Sequence, residues 1–256
     1  MKGSSFLVAS LSILLCAVGA QPATVALKGH RAGPATIFTG CVVNKMAALT
    51  FDDGPNIYEA GISDVLTAHG VRGTFFVNGD LYNCIYDKQI VKNLRHSFLA
   101  GHQIGSHTWA HLDLTTLNET QIHSEMSRTE LALQKILGVT PAFMRPPFGS
   151  YNDLVRNVSG TRGQSLVIWN VDTRDWAGLT VAESEAIYQT AIDAKQDTIL
   201  PLMHETFNTT AFELLPWAIK ALKAAGYRFG TVAECVGQRP YQAFNLPRIR
   251  DRTWTC

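Results

Sequence analysis

Two adjacent carboxylates are the first residues in the chain whose types and spacing suggest chemistry. Asp52 and Asp53 lie in the segment Thr-Phe-Asp-Asp-Gly-Pro, which follows an apolar run and leads into a Gly-Pro turn. Neighbouring carboxylates repel each other, so a cation bound to one of them would explain the pair and leave the other as a general base. The alternative interpretation is an ordinary Asp-Asp-Gly turn with two solvated acids.

Two histidines four residues apart form the second candidate group. His107 and His111 lie in the segment Ser-His-Thr-Trp-Ala-His. Together with one aspartate, two imidazoles can hold a divalent metal and leave coordination positions open for water and substrate. A pair of surface or core histidines would give the same spacing, and two histidines with one carboxylate also suit a non-haem iron oxygenase.

Three further segments carry reactive side chains. Arg145 precedes Pro-Pro-Phe-Gly and either forks onto a carboxylate or is an ordinary surface arginine before a turn. Asp172 and Asp175 form a second acid pair beside Trp176. His204 ends an apolar run, where a lone histidine is more often a hydrogen-bonded core residue.

Strand-like and helix-like segments alternate about seven times along the chain, which predicts a parallel sheet. The reactive residues follow successive strands and therefore converge on one rim. An open doubly wound sheet gathers its site at a single switch point, whereas a barrel draws residues from many strand ends. The sequence therefore predicts an α/β fold, a distorted (β/α)7-type barrel, with strands at 47–51, 73–77, 103–106, 142–145, 166–171, 198–203 and 227–232.

The charge balance restricts the class of partner. The chain has 22 lysines and arginines against 21 aspartates and glutamates, and no run of basic residues. Binding to nucleic acid or to an anionic membrane needs a concentrated basic surface, so neither partner is expected. We expect an uncharged partner and a monomeric protein.

The first twenty residues predict a cleaved signal peptide. Lys2 precedes an apolar stretch that ends in Val18, Gly19 and Ala20, which is typical of secretion to the extracellular space or cell wall. An N-terminal membrane anchor is the alternative, but the stretch is short for a membrane span. Secretion makes the sequons at Asn118, Asn157 and Asn208 candidate glycosylation sites.

Four cysteines remain after the predicted signal peptide, and an oxidising compartment favours two disulfides. Three pairings are possible. Cys41 with Cys235 is favoured because these residues flank the patterned region, and Cys84 with Cys256 follows by elimination. A zinc site built from these cysteines is the alternative, but the sequence lacks a Cys-x-x-Cys spacing. The predicted organisation is a signal peptide (1–20), an N-terminal extension (21–40), a catalytic domain (41–237) and a disulfide-tied tail (238–256).

Taken together, the five reactive segments resemble the polysaccharide deacetylases of carbohydrate esterase family 4, over residues 41–237. The segments Val-Arg-Gly-Thr-Phe-Phe-Val-Asn-Gly (71–79) and Gly-Ser-His-Thr-Trp-Ala-His (105–111) resemble those of fungal chitin deacetylases in particular. The resemblance implies a distorted (β/α) barrel, in agreement with the strand count. Cys41 and Cys235 occupy the positions where such enzymes join their termini.

The resemblance also implies a role for each reactive residue. Phe148 stands where the family more often has tyrosine, and Leu112 where it usually has proline. Only the backbone N–H of Phe148 is needed, to bind the oxyanion. The remaining implied roles are metal ligands Asp53, His107 and His111, general base Asp52, base-orienting Arg145, general acid His204, its charge partner Asp175, a structural role for Asp172, and acetyl-pocket walls Trp176 and Leu202.

The implied activity is hydrolysis of the N-acetyl groups of chitin or chito-oligosaccharides by a secreted, metal-dependent enzyme. Zinc is the expected metal, and cobalt or nickel would fit the same ligands. Sugar rings stack on aromatic faces, so Trp109 and Tyr82 are candidate substrate contacts with Tyr86, although ordinary packing explains the tyrosines equally well. The alternatives are an O-acetyl esterase acting on xylan, and a non-catalytic carbohydrate-binding protein.

Overall fold

The structure, a computed structural model, describes residues 33–256. The predicted signal peptide and most of the N-terminal extension lie outside the described residues. Seven α-helices are described: α1 (Glu59–Ala68), α2 (Lys88–Leu99), α3 (Glu119–Leu137), α4 (Asp153–Thr161), α5 (Val181–Asp193), α6 (Leu215–Ala224) and α7 (Val232–Cys235). The strands are β1 (Ile37–Phe38), β2 (Met46–Ala47), β3 (Thr50–Gly54), β4 (Thr74–Val77), β5 (Gln103–Ser106), β6 (Val139–Pro141), β7 (Phe143–Met144), β8 (Ser165–Val167), β9 (Val171–Asp172), β10 (Thr198–Ile199), β11 (Pro201–His204), β12 (Arg228–Phe229) and β13 (Tyr241–Phe244).

A parallel sheet forms the centre of the fold, with strand order β1-β8-β7-β5-β4-β3-β11-β9. The segment 165–172 pairs at its start with β7 through β8, and at its end with β11 through β9. The two ends of this one segment therefore join the two sides of the sheet into a ring. This arrangement confirms the predicted distorted (β/α) barrel.

The seventh predicted strand, 227–232, is only partly correct. Within this range only β12 is a strand, and it pairs with β2 at the amino-terminal end of the barrel. The chain then turns into α7, because the side chain of Thr231 accepts from the N–H of Glu234 and the Glu234 side chain accepts in return from Thr231 N–H. Such a reciprocal cap starts a helix, so the strand cannot continue to Val232.

Successive side chains along the strands point to opposite faces of the sheet and form two apolar layers. Phe75 stacks on Phe51 at 5.2 Å between ring centroids, in the layer that packs against the helices. Phe76 points to the other side and clusters with Phe143 and Val167 from β7 and β8. Since this second cluster draws residues from several different strands, it fills the barrel interior.

Helix ends agree with simple capping rules. Asn118 starts α3 with a capping box to Gln121, and Gly138 ends the helix in a left-handed conformation at φ 76°. β6 follows at once. The short helix-to-strand connection brings the end of α3 next to the barrel.

Two disulfides join distant parts of the chain. Cys41 is bonded to Cys235, and Cys84 is bonded to Cys256. These are the two pairings expected from the sequence. The second bond holds the tail, in which β13 also pairs with β6. Within residues 33–256, no helix combines the length and apolar character that crossing a bilayer requires.

Candidate metal and catalytic site

The reactive residues lie together at the carboxyl ends of the barrel strands. Asp52 and Asp53 are in the last part of β3, and His107 follows β5 directly. Arg145 follows β7, and His204 ends β11, where it is in register with Asp52 of the neighbouring strand. Parallel strands place all these ends on the same rim, as the sequence predicts.

Asp53, His107 and His111 form a compact group of potential metal ligands. The Oδ1 atom of Asp53 lies 3.5 Å from Nε2 of His107 and 3.4 Å from Nε2 of His111. A tetrahedral zinc ion with bonds of about 2.1 Å separates its ligand atoms by about 3.4 Å, so both distances from Asp53 fit, and all three ligand atoms lie within 4.8 Å of one another. Asp53 Oδ1 is buried without a hydrogen-bond partner, which the ion would supply.

The protonation states of the histidines suit metal binding. Burial lowers the pKa of His107 to about 3, although its hydrogen bond to the Arg145 carbonyl opposes the shift. Burial, reinforced by His107, lowers the pKa of His111 to about 4. Both rings are therefore neutral near pH 7, and their contacts with Asp53 are not ion pairs. His107 Nδ1 donates to the Arg145 carbonyl at 2.7 Å, which leaves Nε2 free as a ligand atom.

The backbone at these ligands adopts unusual conformations. Asp53 and His111 have φ of 68° and 55°, and Thr108 and Phe148 have φ of 70° and 60°. Residues with a Cβ avoid this left-handed region, at about 1–3 kcal/mol each in strained cases. Their concentration at one rim fits a site in which side-chain direction takes precedence over local backbone stability.

Asp52 lies beside the ligand group and is held by Arg145. Its Oδ1 accepts from Arg145 Nη1 at 2.9 Å, and its Oδ2 is 3.8 Å from His107 Nε2. Burial raises the pKa of Asp52, and the guanidinium of Arg145 opposes that shift. Arg145 is fully buried and also donates to Thr50 Oγ1 at 2.8 Å and to the Val167 carbonyl at 3.2 Å. The surface-arginine alternative is therefore wrong.

His204 and Asp175 form a second hydrogen-bonded pair on the rim. His204 Nδ1 lies 2.8 Å from Asp175 Oδ1, and Asp175 Oδ2 accepts from His204 N–H at 2.8 Å and from Thr210 Oγ1 at 2.9 Å. Burial alone would lower the pKa of His204, but the hydrogen bond and charge of Asp175 outweigh it and raise the pKa. The ring is thus more easily protonated than an ordinary histidine.

The predicted substrate contacts divide into exposed and buried residues. Trp176 is 54% exposed and donates from Nε1 to Asp172 Oδ1 at 3.2 Å. Tyr82 is 62% exposed, and burial together with the charge of Asp53 raises its pKa. Phe148 is exposed with its ring 4.7 Å from that of His111. Leu202 is buried in β11 beside the rim.

The expectation for Trp109 needs correction. Its side chain is 3% exposed and lies beneath the Arg128 guanidinium, 4.0 Å from the ring. The Glu125 carboxylate accepts from the backbone N–H groups of Trp109 and Ala110, which fixes the loop between the two histidines. Trp109 is therefore a packing residue and offers no face to a sugar. The same holds for Tyr86, which is also 3% exposed.

Some residues at the site carry no sequence pattern that predicts their role. Thr50 is the exception, because it lies within the Thr-Phe-Asp-Asp-Gly-Pro segment, and that position indicates a place on the rim near Arg145. Thr210 ends a glycosylation sequon, and Glu125 lies in the middle of α3. Their contacts with Asp175 and with the histidine loop depend on tertiary packing alone.

Comparison with known proteins gives a consistent result. A family model described as "Polysaccharide deacetylase" matches residues 39–167. A chitin deacetylase of Pestalotiopsis sp. is 41% identical over 204 residues, covering 79% of this chain and 67% of that protein. A peptidoglycan-N-acetylglucosamine deacetylase of Listeria monocytogenes is 34% identical over 77% of this chain, but the match covers only 40% of that protein.

A solved structure has the same fold. The chitin deacetylase from the fungal pathogen Colletotrichum lindemuthianum superposes with a TM-score of 0.76 at 32% sequence identity. The match covers 81% of this chain and 94% of that one. The barrel and the order of its elements are therefore common to the two proteins.

Proposed function

Because the chain belongs to the polysaccharide deacetylase family, we propose that it is a metal-dependent deacetylase that hydrolyses N-acetyl groups of chitin-type sugars. The observation that carries the proposal is the arrangement of three groups on one rim. The cluster of Asp53 with the two histidines lies next to Asp52, and His204 is in register with Asp52 on the adjacent strand.

The reaction sets three chemical demands. An acetamide is a weak electrophile, so the attacking water must be activated, the oxyanion stabilised, and the departing amine protonated. A divalent metal held by Asp53, His107 and His111, zinc in our proposal, would supply an acidified water and a polarised acetyl carbonyl. The other demands fall to side chains and backbone of this chain.

Asp52 acts as the general base in this proposal. Its carboxylate lies beside the ligand group and accepts the proton of the attacking water. Arg145 keeps the carboxylate oriented through the 2.9 Å hydrogen bond and limits the effect of burial on its pKa. The guanidinium is itself fixed by Thr50 and by the Val167 carbonyl, so the base has little freedom to rotate.

His204 acts as the general acid. Donation from Nδ1 to Asp175 leaves Nε2 to deliver a proton to the amine nitrogen as the carbon–nitrogen bond breaks. Asp175 both orients the ring and favours its protonated form. The products are acetate and a free amino sugar.

The backbone N–H of Phe148 supplies an oxyanion donor in the proposal. The residue follows Pro146 and Pro147 in a left-handed conformation, and its ring lies beside that of His111. Because the donor belongs to the backbone, the presence of phenylalanine rather than tyrosine does not change this function.

Exposed aromatic side chains support a sugar substrate. Trp176 and Tyr82 are exposed, and in the proposal Leu202, buried in β11, forms a wall of the acetyl pocket. The predicted signal peptide and the two disulfides support secretion. Exposed Asn118, Asn157 and Asn208 are the proposed glycosylation sites.

The proposed function is tested by acetate release from two substrates side by side. Zinc-loaded protein is incubated with N-acetylglucosamine oligomers and with acetylated xylan, with Asp52→Asn as the matched inactive control. We expect acetate and free amine from the oligomers and little from xylan. Preferential release from xylan would instead indicate an O-acetyl esterase, and binding without release would indicate a carbohydrate-binding protein.

A further inference from the structure

Two glutamates that the mechanism does not use are buried next to the turn that carries Asp52 and Asp53. Glu205 directly follows His204, and Glu59 is the first residue of α1. Both side chains have no solvent exposure. Buried carboxyl groups are uncommon unless paired, so each needs a physical explanation.

Glu205 contacts the turn at three places. Its backbone N–H donates to the Asp52 carbonyl at 3.1 Å, and its Oε1 accepts from the Asn56 N–H at 2.6 Å. Its carboxyl group also lies against Gly54, where an added Cβ would come within 2.2 Å of Glu205 Cδ. The carboxyl group therefore occupies the space that the missing side chain of Gly54 leaves, and it bridges residues 52–56 from behind.

The second carboxyl oxygen of Glu205 lacks a partner, and so do both oxygens of Glu59. Across residues 33–256, neither glutamate forms an ion pair within 4 Å with a basic side chain. Burial raises the pKa of Glu59 to about 8, and burial with the charge of Glu59 raises that of Glu205. Two charged and unpaired carboxylates are costly in such a place, which favours the neutral, protonated form.

The groups around this pair are neutral or negative. Ser63 of α1 has an unpartnered Oγ, and Ser97 of α2 donates from Oγ to the Asn93 carbonyl at 3.3 Å. Asn93 of α2 donates to the Asn56 carbonyl at 3.1 Å, and His102, whose pKa burial lowers, faces the Ser63 carbonyl. The nearest charges beyond them are the carboxyl groups of Asp52 and Asp53 on β3.

We propose that Glu205 is a positioning residue for the turn that carries the base Asp52 and the metal ligand Asp53. The inference rests on the proposed function for its activity readout, but not for its metal-binding readout. Glu205 touches neither the ligand atoms nor the substrate side of the rim. It acts through Asn56, Gly54 and the Asp52 carbonyl, which fix where the two aspartates point.

This role depends on reach and hydrogen bonding rather than on negative charge. Glu205→Gln keeps an acceptor for Asn56 N–H and removes the charge. Glu205→Asp keeps the charge but withdraws the oxygen from Asn56 by one methylene. A positioning role therefore predicts that Glu205→Gln keeps zinc affinity and turnover and that Glu205→Asp loses them. An electrostatic role predicts the reverse order.

The test is zinc affinity by competition with a chelator, together with acetate release at saturating zinc. We expect Glu205→Asp and Glu205→Ala to bind zinc 10–100-fold more weakly and to lose turnover, while Glu205→Gln stays within about threefold of the wild type. Exposed Glu213→Gln is the matched control and should match the wild type in both measurements. Glu59→Gln, which leaves the contacts of Glu205 with the turn in place, should also retain zinc affinity.

Two results would overturn the inference. Glu205→Gln as impaired as Glu205→Ala would show that the charge itself is needed. A second equivalent of bound metal in the wild type that disappears in Glu205→Gln would show that Glu205 binds a cation rather than positioning the turn. If the wild type releases no acetate, the proposed function fails, yet the order of zinc affinities among the Glu205 variants still tests positioning. A melting curve identifies any variant that does not fold, and the zinc affinities of Glu205→Gln and Glu59→Gln then test the inference.

Discussion

Replacement of Asp175 by asparagine isolates the contribution of the general acid. Asp175 accepts four hydrogen bonds, from His204 Nδ1 and Trp176 N–H at Oδ1, and from His204 N–H and Thr210 Oγ1 at Oδ2. An amide has only one oxygen, so its NH2 group must face one of these donor pairs. In either orientation His204 loses the negative charge that favours its protonated form.

The size of the effect follows from the lost interaction. A hydrogen bond to a charged group contributes about 1.5–3 kcal/mol, which corresponds to a loss of about 10–150-fold in rate. Because Asp175 raises the pKa of His204, its removal lowers that pKa. The acid must be protonated to work, so the alkaline limb of the kcat/KM profile moves to lower pH.

The assay compares two leaving groups in Asp175→Asn. An N-acetylglucosamine oligomer needs its amine protonated, whereas an activated acetyl ester such as a nitrophenyl acetate leaves without a proton. We expect the full loss on the oligomer and a much smaller loss on the ester. Equal losses on both substrates, or an unchanged alkaline limb, would refute the role of this pair in leaving-group protonation.

Three other outcomes follow from the site and its surroundings. Asp52→Asn should keep its zinc, measured by elemental analysis, and lose at least 100-fold in turnover, whereas His107→Ala should lose zinc; near-normal turnover in Asp52→Asn would exclude it as the base. Glu59→Gln should flatten the pH dependence of the melting temperature. Folding raises the pKa of the Glu59 carboxyl from 4.5 to about 8, so the folded protein loses up to about 1.4 kcal/mol of stability per pH unit as the pH rises between those values. An unchanged slope in the variant would contradict this. Trp176→Ala should raise KM for oligomers by about 10-fold with a smaller change for the nitrophenyl ester, because stacking of the indole on a sugar ring is lost only for the oligomer; an equal change would place Trp176 outside the sugar site.

The sequence predicts the barrel and its rim because both depend on local patterns. Apolar runs at regular spacing define the strands, and polar residues at their carboxyl ends must meet when the strands are parallel. Asp53, His107 and His111 converge for that reason. The family resemblance adds roles to these residues, and those roles stay predictions.

Other features depend on packing that no local pattern encodes. Trp109 stands between two histidines of the site, but Arg128 from α3 covers its ring, so an aromatic residue in a motif became a core residue. The strand predicted to reach Val232 stops early because the capping box at Thr231 competes with it. Glu205 is one residue beyond a predicted catalytic histidine, and its burial depends on the absence of a side chain at Gly54 on a neighbouring strand.

Product analysis of a defined N-acetylglucosamine oligomer tests the central claim most directly. Zinc-loaded wild-type protein and the Asp52→Asn variant, matched for zinc content, are incubated with the oligomer, and the products are resolved by mass spectrometry. We predict loss of one or more acetyl groups with the sugar chain intact in the wild type, and unchanged substrate with Asp52→Asn. An intact, fully acetylated oligomer after incubation with the zinc-loaded wild type would contradict the account.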